Sequence, residues 1–146
     1  MPEYVDQSKG LSSQPEPGAI MFNRMFPELH VTDCEAAAQF FEKALGYRRG
    51  YALTENGRLD FVVMKHPDPG LELTLHHMMP ASESGKPRYV RLYYEPRDIH
   101  GLCAQLRGGG FNVTDPEPTD YGATIAHLNG PDGYVIWFQQ WNRPAE

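Results

Sequence analysis

An internal repeat is the feature that most constrains the fold of this chain. From Met21 onward, one unit made of a strand, a helix and three further strands is written twice. The first helix with its flanking residues, Asp33 to Gly46, corresponds to Asp98 to Gly110, and the turn at Asp68 to Gly70 corresponds to the turn at Pro131 to Gly133. The sequence therefore predicts two copies of one βαβββ module.

The first module begins with a predicted strand from Phe26 to Thr32, and Asp33 is placed to cap the helix that follows. Five apolar residues then recur at helical spacing and form one stripe, which Gly46 ends. The stripe consists of Ala37, Phe40, Phe41, Ala44 and Leu45. Three strands are predicted next, at Arg48 to Leu53, Leu59 to Lys65 and Leu71 to His76, separated by turn signals.

The second module repeats this order. A strand is predicted from Tyr89 to Tyr94, and Asp98 is the expected cap of a second helix that ends at three consecutive glycines, 108–110. The apolar stripe of that helix consists of Ile99, Leu102, Cys103 and Leu106. Strands are predicted near Asn112, at Ala123 to Leu128 and at Tyr134 to Gln140.

The length of 146 residues is common for one domain. Residues 1–20 are rich in Ser, Pro, Glu and Gln, so they are predicted to form a flexible N-terminal tail that buries little surface. Residues 21–146 are predicted to form a single domain, with modules at about 21–82 and 83–142.

Charge and cysteine content argue against several classes of function. A net charge of −6 without a cluster of Lys and Arg argues against nucleic acid as a partner. Cys34 and Cys103 lie in different predicted helices without the spacing of a zinc or redox motif, so both are expected to be reduced thiols. No stretch has the pattern of a secretory leader or a membrane span. We expect a cytoplasmic protein that binds neither membranes nor nucleic acid.

The segment from Gly130 to Trp137 is a tight turn that leads into an apolar strand. It resembles the turn-and-strand signature of the vicinal oxygen chelate superfamily, which contains glyoxalases, bleomycin-resistance proteins and extradiol dioxygenases. The repeated modules extend this resemblance over about residues 21 to 142. The resemblance implies an α+β fold in which two βαβββ modules form an incomplete eight-stranded barrel around a cavity.

The resemblance also indicates where the metal enzymes of this superfamily carry their ligands. Phe26 stands at the usual His or Gln position, Trp137 stands at the usual Glu position, and Tyr89 or Arg91, depending on the alignment, stands at a usual His position. Glu72 alone is formally retained as a ligand. A phenyl ring or an indole offers no lone pair to a divalent ion. The closest resemblance is thus to the metal-free, bleomycin-resistance type of protein, for which no metal and no other cofactor are expected.

Alternation along the strands assigns one set of side chains to the cavity, where aromatic rings would stack on a ligand and polar groups would orient it. The candidate ligand-binding residues are Phe26, Glu28, His30, Glu72, Thr74, His76, Tyr89, Arg91, Tyr93, Trp137 and Gln139. Catalytic residues are not identified, although Glu72 and His30 are candidates for a general base. Two alternatives concern Glu72: an ion pair with Arg91 across the cavity, or a relocated iron site formed with His30 and His76.

The leading hypothesis is metal-independent binding or sequestration of a small, aromatic molecule, of the antibiotic-resistance type. The alternative is a lyase, isomerase or dioxygenase with a shifted metal site, or a metal-free pathway enzyme that uses Glu72 or His30 as general base. A regulatory subunit with a vestigial cavity is a third class. The acidic balance favours a cationic ligand. A homodimer is expected because an open barrel leaves sheet edges and cavity rims that a second copy can cover.

Overall fold

The computed structural model describes residues 5–6, 10, 14 and 16–142, and within them the chain forms two modules with the same order of elements. The first module contains β1 (Glu28–Val31), α1 (Cys34–Leu45), β2 (Arg48–Glu55), β3 (Arg58–Lys65) and β4 (Glu72–His77). The second contains β5 (Arg91–Tyr94), α2 (Ile99–Gly108), β6 (Glu117–Pro118), β7 (Ala123–Asn129) and β8 (Val135–Trp141). The predicted tail falls largely outside the described residues and stays a prediction, as do the domain boundaries.

Both helices begin where the sequence predicts. The Asp33 carboxylate accepts a hydrogen bond from the backbone N–H of Ala36 at 3.0 Å, and the Asp98 carboxylate accepts one from that of Gly101 at 3.0 Å. Each cap satisfies a backbone donor that the first turn of a helix leaves without a partner. Gly46 then ends α1 in the left-handed conformation, with φ of 78°.

The strands form two sheets of four, in the orders β1-β4-β3-β2 and β5-β8-β7-β6. In each sheet the first strand of the module runs parallel to the last, β1 beside β4 and β5 beside β8, and the remaining pairs are antiparallel. The two sheets are not closed into a barrel. The predicted α+β fold with two βαβββ modules and an incomplete barrel is confirmed.

Two predicted strands are shorter than expected. β1 begins at Glu28 rather than Phe26, after Pro27, which has no N–H for a ladder. β5 begins at Arg91 rather than Tyr89. The guanidinium of Arg88 donates to the backbone carbonyls of Asp132 and Glu83. These contacts hold the segment just before β5 beside the two turns that contain Glu83 and Asp132, outside the sheet.

The strand predicted near Asn112 is reduced to an isolated bridge. Val113 makes a single antiparallel bridge to Leu128, and the sheet pairing resumes only in the two-residue strand β6. Pro116 and Pro118 flank Glu117 and lack backbone donors, which limits this edge of the sheet to a short ladder.

One hydrophobic core serves both modules. Leu29 and Val31 of β1 and Ile136 and Phe138 of β8 all belong to the same buried cluster, on the helix-covered sides of the two sheets. The faces that neither α1 nor α2 covers are exposed, and we call them the first and the second open face. This arrangement leaves two large sheet surfaces available for a ligand or a second copy of the chain.

Asp132 ties the two modules together at the turn before β8. Its carboxylate accepts hydrogen bonds from the N–H and the hydroxyl of Thr32, both at 2.9 Å, and from the hydroxyl of Ser84 at 2.7 Å. Burial acts to raise the pKa of this carboxyl, but these hydrogen bonds and the nearby Arg88 outweigh it and hold the pKa below its ordinary value. Asp132 has a positive φ of 54°, which an Asp or Asn tolerates better than most residues.

We predict that Asp132→Asn lowers the free energy of unfolding by about 1–3 kcal/mol at neutral pH, because hydrogen bonds to a charged acceptor are lost. Asn preserves the size and the positive φ, so the charge is the main change. The pKa of the Asp132 carboxyl is lower in the folded protein than in the unfolded chain. The ionised carboxylate therefore contributes its full stabilisation above the pKa of the unfolded chain, and this stabilisation is lost as the pH falls through the pKa of the folded protein. Urea unfolding from pH about 7 down to about 3 should show the gap between the two proteins narrowing.

Asp120→Asn is the matched control, because Asp120 is exposed. This variant should stay within about 0.5 kcal/mol of the parent. A cost for Asp132→Asn that is the same at both ends of the pH range would show that the carboxylate charge contributes nothing at the junction.

Candidate ligand-binding site

The first open face carries five of the predicted site residues. Glu28 and His30 lie in register with Thr74 and His76 on the parallel strands β1 and β4, and Glu72 precedes them on the same side of β4. The alternate residues Leu29, Val31, Leu73 and Leu75 are buried in the core beneath α1. The prediction that these five polar side chains share one face is therefore consistent with the register of the strands.

Glu72 is held by an arginine that the sequence did not single out. Its carboxylate lies 2.6 Å from Nη1 of Arg24, in the segment before β1, and only 14% of the Glu72 side chain is exposed. The Arg24 guanidinium also stands 5.1 Å from the centre of the Phe26 ring. The alternative pairing of Glu72 with Arg91 is not what the structure shows, because Arg91 contacts aromatic rings instead.

Glu28 lies between two imidazoles. Its carboxylate is 3.0 Å from Nε2 of His30 and 3.7 Å from Nδ1 of His76, while Nε2 of His76 is 3.5 Å from the Asp60 carboxylate. The two imidazole rings meet edge to face, with their centres 6.2 Å apart. A carboxylate-held imidazole can accept a proton or a hydrogen bond from a ligand, so this cluster supplies polar recognition at the exposed end of the first open face.

Thr74 has a buried hydroxyl without a partner. The residue is 4% exposed, and among the described residues no group forms a hydrogen bond with its Oγ1. A buried polar atom in this state costs free energy until a partner reaches it. Thr74 pairs with Glu28 across β1 and β4, but the burial of its side chain separates this hydroxyl from solvent.

The second open face carries a row of aromatic rings across three neighbouring strands. Tyr93 of β5, Trp137 of β8 and His127 of β7 are in register. Tyr93 stacks beside Trp137 with ring centres 6.0 Å apart and planes 30° apart, and His127 lies 4.8 Å from Trp137 at 36°. We call these three residues the aromatic row. His127 was missed by the sequence interpretation, because only the pairing of β7 with β8 places it beside Trp137.

Arg91 and Gln139 flank the aromatic row on the same face. The guanidinium of Arg91 stands 4.5 Å from the centre of the Trp137 ring and donates to the Tyr93 hydroxyl at 3.3 Å. The side chain of Gln139 accepts a hydrogen bond from the Tyr121 hydroxyl at 2.8 Å, which fixes its orientation. The second open face thus offers flat rings for stacking, together with one cation and one amide.

Two predicted aromatic residues lie outside the strands. Phe26 precedes β1 and is 44% exposed, whereas Tyr89 precedes β5 and is 99% exposed. Neither belongs to the aromatic row, and a role for either in stacking on a ligand stays a prediction.

Two cavities show how the faces relate to the rest of the surface. A cavity of about 210 Å³ lies between the modules and is lined by Glu72, Arg91 and Tyr93, so it joins residues from both open faces. A cleft of about 690 Å³ lies between the β3–β4 loop and α2, but its lining contains no aromatic ring, and its Asp68 is paired with Arg97 at 3.5 Å. Of these two, only the smaller cavity is lined by aromatic rings, Tyr93 among them.

The side chains at the superfamily's metal positions do not fit a metal ion. Phe26 and Trp137 carry no donor atom for a cation, the third position holds either Tyr89 or the cation Arg91, and the Glu72 carboxylate is engaged by Arg24. Across the part of the chain that the structure describes, no group of three His, Cys, Asp or Glu side chains is placed to hold a metal ion, His30, Glu72 and His76 included. We derive no chemistry through a metal.

The two cysteines are free, buried thiols. Burial, with a smaller contribution from Asp60, raises the pKa of Cys34 to about 11, and its thiol donates to the Leu75 carbonyl. Burial also raises the pKa of Cys103. Neither thiol is suited to act as a nucleophile at neutral pH.

A family model supports this architecture. The model of the Glyoxalase/Bleomycin resistance protein/Dioxygenase superfamily matches residues 22–138. The chain belongs to this superfamily. A comparison with curated proteins found no significant match.

Solved structures share the fold at low sequence identity. The antibiotic-binding protein TnmS3 from Streptomyces sp. CB03234 is 22% identical, with a TM-score of 0.67, and the match covers 84% of this chain and 98% of that one. A glyoxalase/bleomycin resistance protein/dioxygenase from Nocardioides is 21% identical, with a TM-score of 0.68 and coverage of 88% and 89%. A bleomycin-binding protein complexed with bleomycin is 19% identical, with a TM-score of 0.64 and coverage of 82% and 98%. These likenesses show the fold.

Among the described residues, neither helix is long and apolar enough to cross a bilayer.

We predict that Thr74→Val raises the free energy of unfolding of the unliganded protein by about 1 kcal/mol, because valine keeps the shape and removes a buried hydroxyl without a partner. Thr32→Val is the matched control, since the Thr32 hydroxyl donates to the Asp132 carboxylate. That variant should lose about 1.5–3 kcal/mol. Urea unfolding measures both changes, and a loss of stability in Thr74→Val would show that its hydroxyl is hydrogen-bonded in the folded protein.

Proposed function

We propose that this protein binds a small, planar aromatic molecule without a metal, as a sequestering protein of the antibiotic-resistance type. The observation that carries the proposal is the aromatic row on the second open face, where Tyr93 remains 53% exposed beside Trp137. The exposed ring of Tyr93 at the edge of the row, together with the half-buried rings of Trp137 and His127, offers an aromatic surface that another ring can contact.

The related proteins support a binding role. One structure with the same fold is described as an antibiotic-binding protein, and another contains bleomycin bound to a bleomycin-binding protein. The residues that replace metal ligands in this chain favour binding over metal-dependent chemistry, because Trp137 adds stacking surface at a position where an enzyme of the superfamily needs a carboxylate.

Polar groups on the first open face would orient the ligand. The Glu28 carboxylate with the His30 and His76 imidazoles offers both donors and acceptors. Gln139 offers an amide beside the aromatic row. A ligand held between a first and a second open face would contact both sets of groups.

A second copy of the chain would provide that arrangement. Both open faces carry exposed side chains in one copy, among them Glu28 and His30 on the first and Tyr93 on the second. Placing the first open face of one copy over the second open face of its partner would enclose the aromatic row. Two such sites would form in a symmetric homodimer.

We predict a homodimer with twice the chain mass of 16.5 kDa in light scattering at micromolar concentration. Leu53 lies on the first open face, in register with Phe61, and is 48% exposed in a single copy. Leu53→Glu should weaken the dimer at least about tenfold, because a buried leucine contributes roughly 1.5–3 kcal/mol. Gln39→Glu, an equal change in charge on the exposed surface of α1, should not weaken it. A parent protein that is strictly monomeric would restrict the ligand site to one chain.

We predict that Trp137→Ala weakens the binding of an aromatic ligand at least about thirtyfold, because truncating a central tryptophan in a binding site commonly costs about 2 kcal/mol or more. Trp141, at the end of β8, is 37% exposed and contacts Tyr121 rather than the aromatic row. Trp141→Ala should therefore matter less. Titrating aromatic compounds while following tryptophan fluorescence and heat would measure both variants against the parent.

Unchanged affinity in Trp137→Ala for a compound that the parent binds would show that this indole belongs only to the packing of the sheet. Mass spectrometry of the ligand after prolonged incubation separates sequestration from turnover. Recovery of a chemically altered ligand would favour a metal-free enzyme, for which the Glu28–His30 pair is the nearest arrangement to a general base.

Metal independence has its own test. We predict far less than one Zn, Fe, Ni or Mn per chain by elemental analysis of protein purified without chelator, because Phe26 and Trp137 offer no donor atom and the Glu72 carboxylate is paired with Arg24. A ratio near one that is lost in His30→Ala or Glu72→Ala would replace this proposal with a relocated metal site.

A further inference from the structure

The charge beside the aromatic row points to a narrower class of ligand. Arg91 lies against the face of Trp137, and one of its N–H groups contacts the Tyr93 hydroxyl. A guanidinium has five donors in one plane, so stacking on a ring leaves donors at its edge free to meet an acceptor in that plane. A carboxylate on a neighbouring aromatic ring matches this fork geometry.

The charge of Arg91 is not neutralised by a carboxylate among the described residues. Arg24, Arg49 and Arg107 each lie within 3 Å of a Glu or Asp oxygen, whereas Arg91 forms no such ion pair in the described part of the chain. The strands that carry the aromatic row, β5, β7 and β8, contain no acidic residue. Glu117 is on the outer strand β6, in register with Ile125 rather than with His127.

At the aromatic row, the charge of Arg91 affects a bound ligand more than the net charge of the protein does. The net charge of −6 by itself favours a cationic ligand. Exposed charges separated by more than about 10 Å are largely screened at ordinary ionic strength, whereas a direct contact with Arg91 is not. Arg91, which contacts both Trp137 and Tyr93, is therefore the charged group that a molecule on the aromatic row meets on strands β5, β7 and β8.

We infer that the aromatic row selects aromatic acids, that is, planar rings bearing a carboxylate or an acidic phenol, with Arg91 as the residue that recognises the anion. This inference rests on the proposed aromatic binding and adds the charge of the ligand to it. The ring stacks on the row, and the acidic group meets the free donors of Arg91. A carboxamide of the same shape keeps the stacking and loses the charge-assisted hydrogen bonds.

The test compares the carboxylate and the carboxamide of naphthalene by calorimetric titration of the full chain. The parent should bind the carboxylate at least about tenfold more tightly, which corresponds to about 1.4 kcal/mol for one charge-assisted contact. Arg91→Gln should remove this preference and leave carboxamide binding within about threefold. Raising the salt from about 0.05 to about 0.5 M should weaken only carboxylate binding by the parent. Arg107→Gln is the control, because it removes one positive charge from α2, away from the aromatic row.

Equal affinity of the parent for both compounds, or a preference that survives Arg91→Gln, would overturn the selection of acids and leave aromatic binding intact. Tighter binding of the carboxamide would do the same. Failure of both compounds to bind at millimolar concentration would count against the proposed aromatic binding and, with it, against this inference.

Discussion

Each sheet of this protein buries one face against a helix, and the other properties of the molecule depend on that constraint. A strand shows alternate residues to opposite sides, so Leu29 and Val31 are committed to the core while Glu28 and His30 are committed to the open face. The same division holds for Ile136 and Trp137 in the second module. Because both modules share one core, the open faces remain outside it.

The junction between the modules fixes where the open faces lie. Asp132 accepts hydrogen bonds from Thr32 in the first module and Ser84 in the connecting segment, and the next residue, Gly133, has a positive φ of 83°. A Cβ at Gly133 would overlap the Lys86 carbonyl oxygen, so the turn admits little other than glycine. This turn also begins β8, the strand that carries Trp137. A contact that stabilises the fold therefore also positions the proposed ligand site.

Phe26 and Trp137 stand at positions where the metal enzymes of this superfamily carry ligands, and neither offers a donor atom to a cation. A divalent ion needs converging donor atoms, and the structure instead gathers Tyr93, Trp137 and His127 as rings and engages Glu72 with Arg24. Stacking accepts many kinds of aromatic ring, whereas a contact with a charged side chain distinguishes an acidic ligand from a neutral one. Arg91 supplies that charge at the aromatic row.

The sequence by itself determined the modules, the helix caps and the facing of side chains along each strand, because these depend on neighbours within a few residues. Asp33 and Asp98 cap their helices as predicted, and Trp137 faces the open side as its strand pattern indicates. Tertiary structure alone decided which side chains meet across strands. Arg24 rather than Arg91 reaches Glu72, and His127 joins Trp137, because strand register and module packing arise from contacts between residues far apart in the chain.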